Sequence, residues 1–338
     1  MSNKGKLLTG AEAVVLACEN SKADMMYGYP ITPTSEVFNG WINNGNKYVQ
    51  TEDEISAGFS VCGAVLAGQK AFTATAGPGH VLMQDGLSMA EGMRLPFVAI
   101  VGQRGGPSSG TVIYSQQEVL LACFGGNGEG MRIVFSPSNL KELYEMTLQA
   151  FECAWKYRFP TIVLTDGYLL KTKGVIDALE ENQVVPSERI VADGANVHLP
   201  SIYTLEEELH EKLLKDKIDF DNMSPQIEQA ELYQIDDADM VIIAHGIVGA
   251  SAKQAINEAR LKGLKVGLFR PMTLRPFPAQ KMNQLLSKIK KVIFVESSMG
   301  QLERIARDQL DAKLSINITS CHFPGLGVEP EDILNLIS

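Results

Sequence analysis

Short apolar runs alternate with helical periodicity over residues 1–175, the pattern of an α/β domain with a mainly parallel sheet. Thr9 followed by Glu12 predicts a capping box opening a helix through Cys18. Met25–Tyr29 and Tyr48–Thr51 read as strands, and a Gly- and Ala-rich helix is expected from about Glu54 to Ala67, stopped by Gly68. Ala71–Ala76, Phe97–Gly102, Arg132–Phe135 and Ile162–Thr165 read as further strands. Leu140, Leu143, Leu148, Phe151 and Trp155 mark one face of a helix. Over residues 176–238 the pattern lapses. That stretch is polar and acidic, with Glu206-Glu207-Glu208, and predicts a connector carrying a helix or two. From Asp239 the alternation resumes. Met240–Ala244, Lys265–Phe269, Val292–Val295 and Ser315–Thr319 read as strands, with helices near Gly249–Leu261, Pro278–Lys288 and Gln301–Asp311. Residues 239–338 are therefore expected to form a second, smaller α/β domain.

Composition narrows the function classes. With 338 residues, 45% of them apolar and 21% charged, the chain can fill two cores and is not a disordered or fibrous protein. A net charge of −10 gives no basic footprint for nucleic acid or a membrane surface. The five cysteines, at 18, 62, 123, 153 and 321, form no CxxC unit. That spacing argues against an iron–sulfur or zinc site built by this chain alone, and against a disulfide framework. The opening MSNKGKLLTGAEAVV has no apolar signal core, and no apolar run approaches the roughly 20 residues that span a bilayer. A cytoplasmic location is expected.

In open α/β sheets ligands bind beyond the carboxyl ends of the strands. Four conspicuous segments fall at such ends: YPITP, the TEDE stretch, TAGPGH and RGGPSSG. Each taken singly reads as a turn. The familiar nucleotide motifs are absent, as is a GxSxG elbow, and the glycines of Gly125–Gly130 match neither phosphate-loop spacing. The histidines at 80, 198, 210, 245 and 322 show no metal-ligand spacing, so no metal site is expected on this chain. Glu54 stands out. A carboxylate at a helix start feels the positive end of the dipole, while Ile55, Ala57 and Phe59 would desolvate it and raise its pKa. Such a group can exchange a proton near neutral pH. Arg104 follows an apolar strand and precedes a Gly-Gly-Pro turn, where a guanidinium can clamp a carboxylate bidentately.

Taken together and in order, these segments resemble the alpha subunit of 2-oxoacid:ferredoxin oxidoreductases, which use thiamine diphosphate. Tyr29-Pro30-Ile31-Thr32-Pro33 matches the family's YPITP signature. Glu52-Asp53-Glu54-Ile55 followed by Gly63-Ala64 matches its activating-glutamate region. Thr75-Ala76-Gly77-Pro78-Gly79 and Arg104–Gly110 resemble its next two turns. In the second domain, Phe269–Pro278 resembles FRPxTLWPFP, and Val295-Glu296 with Met299-Gly300-Gln301 resembles VxExxxGQ. The resemblance spans about residues 8–335.

The resemblance implies a thiamine diphosphate pyrimidine-type domain followed by a transketolase C-terminal-like domain that serves assembly and packing. Glu54 would hydrogen-bond the aminopyrimidine ring of the cofactor. Pro30, Thr75 and Gly77 would lie against the cofactor, and Thr32 and Arg104 would hold the substrate carboxylate. Ile113 stands where a hydroxyl residue is common, which puts 2-oxoglutarate in doubt and leaves branched or aromatic 2-oxoacids open. Arg275 replaces a usual Trp, a packing change in the second domain. Thr165-Asp166-Gly167 lacks the remainder of the family's diphosphate and magnesium motif. The resemblance therefore places Mg2+ and the diphosphate on a beta subunit and iron–sulfur clusters on a delta partner, beside a gamma partner, with coenzyme A as co-substrate and ferredoxin as acceptor. The chain alone would be silent. A non-redox thiamine diphosphate decarboxylase or transketolase-like complex, or a non-catalytic scaffold of the same fold, are the alternatives.

Overall fold

The computed structural model describes residues 5–176, 184–191 and 198–337. The chain opens with β1 (Lys6–Thr9), α1 (Gly10–Asn20), β2 (Met25–Gly28), α2 (Ser35–Asn43), β3 (Tyr48–Gln50) and α3 (Glu54–Leu66). It continues through β4 (Ala71–Thr75), α4 (Pro78–Leu82), α5 (Gln84–Met93), β5 (Val98–Gln103), α6 (Val119–Phe124) and β6 (Ile133–Phe135). Then come α7 (Leu140–Tyr157), β7 (Thr161–Asp166), α8 (Gly167–Lys171), β8 (Lys173–Ile176) and α9 (Glu206–Ile227). The last part comprises β9 (Ala230–Tyr233), β10 (Met240–Ile243), α10 (Gly246–Leu261), β11 (Val266–Pro271) and β12 (Thr273–Arg275). It ends with α11 (Ala279–Leu286), β13 (Lys291–Glu296), α12 (Gln301–Asp308), β14 (Asn317–His322) and α13 (Pro330–Ile337).

Local chemistry explains where several of these elements begin and end. The Thr9 hydroxyl accepts from Glu12 N at 3.1 Å and Glu12 Oε2 accepts from Thr9 N at 2.7 Å, so the expected capping box opens α1. Gly68, at φ +86°, ends α3 in the left-handed conformation that glycine tolerates best.

The larger sheet has the order β12-β6-β7-β5-β4-β2-β3 and is parallel except for β12. Parallel sheets need cover on both faces. One face packs on α1, α2 and α7 through Val14, Trp41, Phe72, Phe135 and Phe151, with Phe220 and Met223 of α9 added. The other packs on α3 and α5 and continues into the second sheet through Val101, Val134, Val241, Phe269 and Phe294. The smaller sheet has the order β14-β13-β10-β11-β9, again parallel but for its last strand.

Two strands cross the divisions expected from the sequence. β9 lies in the stretch read as connector, yet pairs antiparallel with β11 in the smaller sheet. β12 follows β11 but pairs with β6 in the larger sheet. Both are three or four residues long, too short to show a period of two. Residues 177–183 and 192–197 of the expected connector lie outside the described residues. Arg275 is not a packing change confined to the second domain. Its Nη2 donates to Gly130 O at 2.7 Å, its Nη1 donates to Cys123 O, and its guanidinium lies over the Phe124 ring. No helix among the described residues is long and apolar enough to cross a membrane.

Candidate functional site

The carboxyl ends of β2, β3, β4 and β5 lie side by side, because those strands are neighbours in one parallel sheet. This brings the four segments singled out in the sequence to one rim. At the end of β3, Asp53 takes the N-cap and its Oδ1 accepts from Ser56 N at 2.7 Å. Asp53 thus does the capping, and Glu54, the first residue of α3, is left for another use. Glu54 is 5% exposed. Burial pushes its carboxyl above the ordinary range, opposed by its own backbone N–H; Asp53 adds to the rise and Arg104 works against it.

Across from Glu54 stands the turn after β4. Gly79 has no side chain, and a Cβ there would overlap both Glu54 Oε1 and Thr75 Oγ1. The missing side chain is what lets the carboxylate lie against this turn. Thr75 is fully buried and its hydroxyl has no protein partner. Gly77 is at φ +51°, and a Cβ on it would sit 2.5 Å from Arg104 Nε. Arg104 is 5% exposed, its Nη1 donates to Thr32 O at 2.6 Å, and its Nε is buried without a protein partner. Glu54, Thr75, Gly77 and Arg104 therefore converge, with Thr32 joined through its carbonyl while its side chain is exposed. Pro30 is half-buried in the loop that carries Thr32.

Ile113 is placed differently. Its carbonyl accepts from Gly167 N at 2.9 Å, and its side chain packs with Tyr114 against the core of the smaller sheet. Asp166 is buried and caps α8, accepting from Leu169 N at 2.9 Å. Burial pushes its carboxyl up to about 7, against the backbone N–H groups of Leu169 and Tyr168.

Glu118 carries no motif in the sequence, and His80 enters there only as the last residue of TAGPGH and as a histidine without metal-ligand spacing. Glu118, 5% exposed, accepts from Gly77 N at 2.9 Å and Arg104 N at 2.8 Å through Oε1. His80, fully buried, donates from Nδ1 to Glu118 Oε2 at 2.7 Å, and its Nε2 has no protein partner. The sequence holds one signal for Glu118, a charge directly ahead of the apolar run Val119-Leu120-Leu121-Ala122.

Elsewhere, Glu296, Glu303 and His322 group closely enough to hold a cation, but the oxygens of both carboxylates have other work. Glu296 accepts from the N–H groups of Leu302 and Glu303 at the start of α12, and Glu303 accepts from Arg307, Ser320 and His322.

Comparison with known proteins agrees with this architecture. Residues 17–214 match the family model described as pyruvate flavodoxin/ferredoxin oxidoreductase, thiamine diphosphate-binding. Residues 238–332 match pyruvate:ferredoxin oxidoreductase core domain II. The ketoisovalerate oxidoreductase subunit VorB of Methanothermobacter thermautotrophicus is 33% identical, with 89% of each chain aligned. The 2-oxoglutarate synthase subunit KorA of Methanocaldococcus jannaschii is 30% identical over 88% of this chain and 90% of its own. Among solved structures, 2-oxoglutarate:ferredoxin oxidoreductase from Magnetococcus marinus, with 2-oxoglutarate, coenzyme A and succinyl-CoA bound, superposes with a TM-score of 0.87 at 28% identity. The match covers 99% of this chain and 65% of that one, so this chain spans under two thirds of its length. A split-gene transketolase, 13% identical with a TM-score of 0.61, shares the fold.

Proposed function

The chain belongs to the pyruvate flavodoxin/ferredoxin oxidoreductase family, and from that membership we propose that it is the alpha subunit of a multi-subunit 2-oxoacid:ferredoxin oxidoreductase. The complex would decarboxylate a 2-oxoacid oxidatively, form acyl-CoA and CO2, and pass electrons to ferredoxin. The observation that carries the reading is the buried Glu54 at a helix start, facing the unpartnered Thr75 hydroxyl across a turn kept open by Gly79. Those groups fit the aminopyrimidine end of thiamine diphosphate, which offers ring nitrogens and an amino group to such partners.

Thiamine diphosphate supplies the carbon nucleophile and electron sink that decarboxylation of a 2-oxoacid requires. This chain's residues bind and orient around it. Glu54, with its pKa raised by burial, holds a proton against the aminopyrimidine ring. Thr75, Gly77 and Pro30 shape the same wall. Arg104, pinned by Thr32 O, directs its guanidinium at the substrate carboxylate, and the exposed Thr32 hydroxyl completes that contact.

Partners supply the rest in this reading. Tyr29, Tyr48, Val49, Ile55, Phe59, Val81 and Leu82 belong to elements around Glu54, and each is more than a third exposed. A beta subunit carrying the diphosphate and Mg2+ would cover that apolar rim. The five cysteines are free and ungrouped, which suits iron–sulfur clusters carried on a delta subunit, beside a gamma subunit, and a reducing cytoplasm. Coenzyme A and ferredoxin complete the reaction. The division at 175 and 239 is kept as a division of labour, with the cofactor and substrate residues on the first part.

The test is native co-purification followed by viologen reduction with pyruvate, 2-oxoisovalerate, 2-oxoglutarate and an aryl pyruvate. Activity is expected to need both coenzyme A and thiamine diphosphate, and Glu54→Gln should lower it by about 100-fold or more. Decarboxylation without viologen reduction would support the non-redox alternative. Unchanged turnover in Glu54→Gln would remove Glu54 from the mechanism.

A further inference from the structure

Residues 115–120 join the second domain to the candidate site. On one side, Gln116 N and Ser115 Oγ donate to Ser297 O at 3.0 and 2.8 Å. The Gln116 amide accepts from Ser297 N at 3.0 Å and donates to His245 O at 2.9 Å. The Gln301 amide accepts from Leu120 N at 2.9 Å and donates to Gln117 O at 2.8 Å. The Gln301 amide thus clasps backbone on both sides of Glu118, while the Gln116 amide ties that segment to the backbone of Ser297 and His245. Glu296 accepts from Leu302 N and Glu303 N in the first turn of α12, the turn that Gln301 opens, and Gln301 N itself donates to Ser298 Oγ at 3.2 Å.

On the other side, Gln117 Oε1 accepts from Gly106 N at 2.8 Å, and Glu118 accepts from Gly77 N and Arg104 N. One carboxylate therefore ties the turn after β4 to the residue that follows β5. The tolerance there is small, since the Gly77 backbone lies directly against the Arg104 side chain. If Glu118 shifts, both N–H groups lose their acceptor and the guanidinium loses its aim.

We propose that Glu118 is a positioning residue for 2-oxoacid binding, and that the second domain holds it in place through Gln116 and Gln301. The proposal rests on the assignment of Arg104 to the substrate carboxylate. It gives the second domain a part in substrate binding beyond assembly, and gives the Val295–Gln301 motif a specific task.

The experiment measures KM and kcat of the assembled complex with the best 2-oxoacid of the panel, alongside thiamine diphosphate affinity and thermal unfolding. Glu118→Ala should raise KM about ten-fold, with a smaller fall in kcat and a smaller loss of cofactor affinity through Gly77. Glu118→Gln, whose amide oxygen can still accept from Gly77 and Arg104 and whose amide nitrogen can donate to His80 Nδ1 in its other tautomer, should stay within about three-fold of wild type. Gln301→Ala, remote from the substrate, should raise KM by about three-fold or more, and it carries the test if Glu118→Ala does not assemble. Arg104→Ala is the reference. If it raises KM while Glu118→Ala and Gln301→Ala do not, the proposal fails even should their melting temperatures fall. A Glu118→Gln KM equal to that of Glu118→Ala also overturns it. If Arg104→Ala leaves KM unchanged, the assignment of Arg104 itself is wrong.

Discussion

Glu54 and Asp53 are adjacent carboxylates with opposite fates. Asp53 meets the Ser56 N–H, which holds its pKa below the ordinary range, while Glu54 turns inward and burial raises its own. The inward turn depends on Gly79. Gly79→Ala would push the Glu54 carboxylate aside, and turnover is expected to fall at least about ten-fold with the far-ultraviolet circular dichroism unchanged. Asp166 gives a second prediction. Its folded pKa, about 7, lies above the usual 3.8, so the folded state binds the proton more tightly. Its contribution to stability is then full below about pH 3.8 and is lost as pH rises through 7. Asp166→Asn keeps an acceptor for Leu169 N and stays neutral. It should stabilise the chain above pH 7 by up to about 4 kcal/mol relative to wild type, with no gain near pH 4. Parallel melting curves at the two pH values decide this.

At the scale of elements, the position of Glu54 depends on how closely α3 approaches α5. Gly86 of α5 packs on the α3 backbone, and a Cβ there would lie 3.0 Å from Gly58 Cα. Gly86→Ala should cost about 1–3 kcal/mol, read as a lower melting temperature, and should reduce cofactor affinity in the complex because α3 carries Glu54. The same elements show what periodicity reveals. The capping box at Thr9, the stop at Gly68 and the long face of α7 are local signals, and the structure has each of them. β9 and β12 are short, and α4, α6 and α8 have five or six residues each. Their formation depends on the surface that each one meets, which no short window of sequence contains.

In the whole molecule, the two larger sheets meet at a seam that holds buried charges. Arg270 of β11, 1% exposed, donates from Nη2 to Glu142 of α7 at 2.6 Å and from Nε to Glu231 of β9 at 2.7 Å. His245 lies at the same seam, buried, with Nδ1 2.9 Å from Ser136 Oγ. Burial, and then Arg270, pushes its pKa down to about 3. A depressed folded pKa means the contribution is present above about pH 6.5 and lost as pH falls towards 3. By pH 4 the loss should reach about 3 kcal/mol. His245→Asn should show a shallower fall in melting temperature between pH 7 and 4 than wild type, and equal slopes would remove His245 as the acid-sensitive point of the seam.

The α/β alternation, the two-part organisation and the segments that end on the site rim are all written in the order of residues along the chain. Those follow from hydrophobic period, turn residues and motif order, which are local or ordered along the chain. The sequence also carried Glu54, Thr75, Gly77 and Arg104 as candidates, because each sits in a motif of its own. Folding, and not the order of residues, puts Ile113 under the second domain, brings Arg275 back to the first, and sets Glu118 and His80 behind Arg104. The physical reason is that those roles are defined by contacts between residues far apart in the chain. A buried carboxylate is recognised by the N–H groups that surround it, and folding alone brings Gly77, His80 and Arg104 to Glu118.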